Sequence, residues 1–156
     1  MNATKNICKE MFKDELLIAL DMIRDEAING WVIGGRIMIY TSYFGNLRNI
    51  PDDIVPIAIC GKVPDWYKGL CYKELAPSYD IFSKWKDNGN NDYYATRFSR
   101  EILETLDVNE VADRLYGMSN NKDIVLLCYE KPTDFCHRHL VAKWFIDNGY
   151  KCEEFI

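Results

Sequence analysis

The chain has 156 residues, 48% hydrophobic and 13% aromatic, enough to bury a core of ordinary size and unlike a disordered or fibrous composition. A formal charge of −5 and a pI near 5.1 exclude a generally basic surface that would gather nucleic acid or acidic lipid in bulk, though not a local basic pocket. Six cysteines, at 8, 60, 71, 128, 136 and 152, are spread too thinly for a secreted disulfide scaffold and include no C-x-x-C pair, so a reducing cytoplasm is expected.

The start, MNATKNICKEMFKDE, has no basic segment ahead of an apolar one, and no apolar run approaches the roughly 20 residues that span a bilayer. A soluble, unexported protein with no membrane partner is expected. From Glu10 to Asn29, Phe12, Leu16, Leu20, Ile23 and Ala27 recur at helical steps, and Asn29-Gly30 stops the pattern. Met38 could serve as a start, which divides the chain into an N-terminal helical extension, 1–37, and an α/β domain, 38–156.

RIMIYTSYF, 36–44, reads as a buried strand, and IVPIAIC, 54–60, as a second. Between 61 and 79 the chain is rich in proline and aromatics without a clean period, the mark of a long and often functional loop. Three helices follow, Ser78 to Asp87, Asp92 to Leu106 and Val108 to Tyr116, with Asp107 available to cap the last. DIVLLCYE, 123–130, is continuously apolar, as in a strand covered on both faces. A helix from about Cys136 to Asn148 and a short closing strand in YKCEEFI complete the pattern. Strands separated by helices predict a single α/β domain with a mostly parallel central sheet of about four strands, flanked by helices.

Cys136-His137-Arg138-His139 holds both histidines of the chain and lies where a strand hands over to a helix, the place where parallel α/β sheets bind ligands. A helix N-terminus offers unpaired N–H groups and partial positive charge. It welcomes an anion, to which Arg138 could add a two-pronged contact, and it favours the thiolate of Cys136. Cys136 is thus the candidate nucleophile, with Glu130 or His137 handling protons. Trp66, Tyr67 and Tyr72 could wall a pocket for a flat ligand, and Tyr40, Ser42 and Tyr43 could lend hydroxyls to its rim. The plain alternative is a small apolar cysteine in the first turn with its neighbours turned to solvent. Zinc is the competing chemistry, with Cys128 and Glu130 nearby, but adjacent helical residues point about 100° apart, which argues against Cys136 and His137 sharing one ion. No metal and no cofactor is expected.

VLLCYEKPTDFCHRHLVAKWF resembles the signature of the domain-of-unknown-function 488 family, a strand ending in a Leu-Cys-(Tyr/Ala)-Glu run followed by Cys-His-Arg at a helix start. The resemblance takes in TSYFGNL, VPDWYKG and YKELAPS as well and covers about 38–156. It implies a small cytosolic α/β domain with a site at Cys128, Glu130, Cys136, His137 and Arg138, and no settled activity. His139 falls at a variable position. Lys62 departs from the pattern, standing where many members carry an arginine that could grip phosphate more specifically.

Three readings stay open. The first is an enzyme holding a phosphate- or nucleotide-containing anion at Arg138, Lys62, Trp66, Tyr72 and Ser42 and acting through Cys136, His137 and Glu130. The second is a nucleotide-binding or nucleic-acid-linked module using the same anion site without chemistry, and the third treats the cluster as architecture. A homo-oligomer is compatible with each.

Overall fold

A computed structural model describes residues 37–156; the helix expected over 10–29 lies outside them. Five strands form one all-parallel sheet: β1 (Ile39–Tyr43), β2 (Val55–Ala58), β3 (Leu70–Cys71), β4 (Ile124–Cys128) and β5 (Cys152–Glu154), in the order β3-β2-β4-β1-β5. The parallel α/β domain expected from the alternation is present, with one more strand than the sequence suggested. β3 is only two residues long and lies inside the aperiodic loop, where no alternation could announce it. The hydrogen bond from the Tyr72 amide to the Ala58 carbonyl, 2.8 Å, and the Tyr67 hydroxyl, 3.0 Å from both the Pro56 and Leu70 carbonyls, pin that loop to β2.

The helices among the described residues are α1 (Tyr79–Asn88), α2 (Asn91–Glu101), α3 (Val108–Met118) and α4 (His137–Asp147). Ser78, Asn90 and Asp107 cap the first three, each accepting a hydrogen bond from a backbone N–H of the first turn. α1 stops at Gly89, whose φ of 63° is the left-handed turn that glycine adopts without steric cost. The single helix expected over 92–106 is instead α2 followed by a 3-10 turn, Leu103–Thr105, because the Thr105 hydroxyl and amide both bond the Ile102 carbonyl.

β4 is buried throughout, between β2 and β1, which explains its unbroken apolar run. Ile124 and Leu126 face the layer built by α1 to α4, with Ile81, Phe98, Leu115, Val141 and Phe145. Val125 and Leu127 face the other way, against Phe44 and Tyr67 from the loops. Each such side chain contributes about 1.5–3 kcal/mol by leaving water. The register places Tyr43 beside Cys128 and Ala58 beside Leu127, so the carboxyl ends of β1, β2 and β4 make one level floor, onto which α4 opens.

Candidate functional site

On that floor Cys128 is the last residue of β4, Glu130 lies two residues on, and Cys136 sits immediately before α4. Cys136 is extended, at φ −150° and ψ 140°, and so is not on the helix. The argument from helical spacing therefore fails. Cys136 and His137 do converge: the ligand atoms of Cys128, Cys136 and His137 all lie within 4.8 Å of one another.

One carbonyl sets the chemistry of His137. Its Nε2 is 2.9 Å from the Ile59 carbonyl oxygen, which can only accept, so Nε2 carries the proton. The other nitrogen, Nδ1, is thereby turned toward the Cys128 sulfur at 3.7 Å. The ring is 5% exposed and rests against Phe98, with centroids 5.4 Å apart.

The two thiols are driven in opposite directions. Cys136 is drawn well below the ordinary thiol range, first by the neighbouring Cys128 thiol and, against the cost of burial, by the His137 side chain and the Arg138 backbone N–H. Cys128 is pushed up, first by Cys136 beside it and then by burial, while its S–H donates to Glu130. Glu130, with an oxygen 3.4 Å from the Cys128 sulfur, is also raised, chiefly by burial and then by repulsion from Cys136. The arrangement therefore pairs a sulfur drawn toward thiolate with a carboxyl group that holds a proton more tightly than an exposed one.

A cavity of about 760 Å³ opens over this cluster. Cys128, Glu130, Cys136 and His137 form part of its wall; Lys62, Trp85, Phe135 and Lys86 extend it. Trp85 tilts against Phe135 with centroids 5.9 Å apart, and the Lys86 ammonium lies 5.1 Å over the Trp85 ring. The sequence alone did not mark Trp85 on α1 or Phe135 in the loop before α4, although Tyr79, Phe82 and Lys86 recur on α1 at helical spacing and also line the space.

Cys136, His137, Glu130 and Lys62 thus line one cavity, whereas Arg138, Trp66, Tyr72 and Ser42 are not part of its wall. Arg138 is 0% exposed, and its fork is taken: Nε and Nη2 donate to Glu154 at 3.2 and 2.9 Å, and Nη1 donates to the Glu130 carbonyl at 2.6 Å. The expected two-pronged contact to a ligand anion is therefore made to the Glu154 carboxylate instead, and Arg138 fixes the Glu130 loop. Trp66 is 61% exposed and packs on Phe44 and Tyr67. The Tyr72 hydroxyl donates to Glu74 at 3.0 Å, and Ser42 donates to the Phe155 carbonyl at 2.8 Å, so both secure the fold locally.

Cys128, Cys136 and His137 are also the residues whose donor atoms could hold a soft metal ion. Among the described residues no helix is long and apolar enough to cross a membrane. Compared with known proteins, residues 46–149 match the family model described as "Active DUF488-N3 subclade". No curated protein and no solved structure matches the chain.

Proposed function

The chain belongs to the DUF488 family, in its Active DUF488-N3 subclade, and from that membership and the cavity we propose an enzyme that acts through Cys136 on a small anionic ligand, phosphate- or nucleotide-containing. The observation that carries the reading is the placement of Cys136: it lines the cavity together with Glu130, and its sulfur lies within 4.8 Å of the Cys128 sulfur and a His137 ring nitrogen. The word "active" in the family's description accords with a working site. In this reading the thiolate attacks an electrophilic centre of the ligand, and the Glu130 carboxyl relays a proton to the departing group. Lys62 and Lys86 attract the ligand's charge, and Trp85 with Phe135 offers a wall for a flat ring. Arg138 serves as a positioning residue through its hold on the Glu130 carbonyl.

The work is assigned to 38–156, with 1–37 an appended helical extension, in a cytoplasm that keeps thiols reduced; a homo-oligomer is compatible with it. Iodoacetamide labelling followed by mass spectrometry tests the central role. In metal-free protein Cys136 should alkylate faster than glutathione at neutral pH, and pyrophosphate or a nucleoside diphosphate should slow it. A rate no faster than the model thiol removes the nucleophile.

The 3% exposure of Cys136 favours one second reading, a binding module that uses the cavity without chemistry. Cys136→Ser separates the two. The enzyme keeps ligand binding and loses turnover; the module has no turnover to lose.

A further inference from the structure

We infer that Cys128 Sγ, Cys136 Sγ and His137 Nδ1 form a three-ligand site for a soft divalent cation, zinc being the reference ion, with its fourth position open to the cavity. Tetrahedral zinc has bonds of about 2.3 Å to sulfur and about 2.0 Å to nitrogen, which place its ligand atoms roughly 3.5–3.8 Å apart. The Cys128 sulfur and His137 Nδ1 are already separated by 3.7 Å, and no pair in the set exceeds 4.8 Å. Small side-chain rotations close the remaining gap.

Two further features suit a metal. The Ile59 carbonyl holds the Nε2 proton of His137 and fixes the plane of the ring, so Nδ1 is the nitrogen presented to a metal. Sulfur and imidazole donors at the end of β4 and the mouth of α4 match a soft cation and suit magnesium or calcium poorly. A set of two cysteines and one histidine leaves one coordination position, and since all three residues line the cavity with Glu130, water, the Glu130 carboxylate or a ligand anion can complete it.

Binding displaces the Cys128 thiol proton to solvent, Cys136 entering as thiolate: two Zn–S bonds and one Zn–N bond form, and nothing is oxidised or reduced. Resting on the nucleophile reading above, an occupied site would engage the Cys136 thiolate and withhold it from a ligand, so zinc would act as a reversible stopper of the active form.

The test uses the full chain, stripped with a chelator under reducing conditions. Zinc should bind with 1:1 stoichiometry in competition with a chromophoric chelator, and cobalt should give the intense charge-transfer absorption of thiolate coordination. Cys128→Ser and Cys136→Ser should each weaken zinc binding about tenfold or more, while Cys8→Ser and His139→Gln leave it unchanged. Zinc should also slow alkylation of Cys136 in the unaltered protein at least tenfold, a readout that needs no variant to fold. Absent binding, cobalt bound without sulfur absorption, or zinc affinity untouched in folded Cys128→Ser overturns the inference. Fast alkylation of metal-free Cys136 without zinc protection sinks the metal site alone. A cobalt–thiolate spectrum together with slow alkylation of the metal-free protein sinks the nucleophile alone.

Discussion

A hydrogen-bond acceptor as ordinary as the Ile59 carbonyl decides which nitrogen of His137 faces the sulfurs, and an arginine as conspicuous as Arg138 is decided by the single carboxylate of Glu154. Neither partner lies near the cluster in sequence. Residues 136 to 139 therefore locate the centre by themselves but do not assign its roles. The thiol's behaviour is testable by pH. A free thiol loses thiolate about tenfold per pH unit below a pKa of about 8.5, so between pH 8 and 6 its alkylation slows by well over an order of magnitude. Cys136, held as thiolate by its donors, should keep nearly the same rate over that interval in metal-free protein. A parallel decline for both thiols would show that its neighbours do not hold it as thiolate. Arg138→Met should take the guanidinium from Glu154, leaving it Thr41 and His139, and from the Glu130 carbonyl, and destabilise the fold by about 3 kcal/mol, measured as a shift in the denaturant midpoint. A variant as stable as the parent would contradict that pairing.

At the scale of elements, the sequence announced those with a strong period or a good cap. β4 was legible because both its faces are covered, and α3 because Asp107 stands at its start, whereas the caps Ser78 and Asn90 of α1 and α2 emerged only in the structure. Less legible was whatever depends on contacts distant in the chain. β3 exists only because Leu70 and Cys71 meet Ile57 and Ala58, and the cavity wall exists only because α1 packs beside Phe135. The break after α2 could have been read from Thr105, whose hydroxyl competes for a backbone carbonyl. Gly89, at φ 63°, ends the helix that carries Phe82, Trp85 and Lys86. A methyl group added at that position would find nothing within 4 Å, so Gly89→Ala meets no clash and bears only the left-handed backbone cost. The melting temperature should fall by an amount equivalent to about 1–2 kcal/mol. An unchanged melting temperature would mean that α1 can end without a left-handed residue.

For the whole domain, electrostatics tie α1 to α2. Arg97 donates to Asp80 and to Glu101, each at 2.7 Å, and both carboxyls are thereby drawn below their ordinary values of 3.8 and 4.5. A depressed carboxyl contributes stability that is complete above its unfolded value and vanishes as pH falls through the folded one. Arg97→Gln should therefore lower the thermal midpoint at pH 7, and the difference should shrink as pH falls below the ordinary carboxyl range through the folded values. A gap that stays constant across that range would assign the effect to packing of the arginine stem. Among the described residues the sheet also ends, on both sides, in its shortest strands, two residues in β3 and three in β5. An edge that brief offers an incoming strand few amides and carbonyls to pair with, a natural guard against open-ended stacking into fibres. Any assembly of several copies would then be built through side-chain surfaces and not by lengthening the sheet.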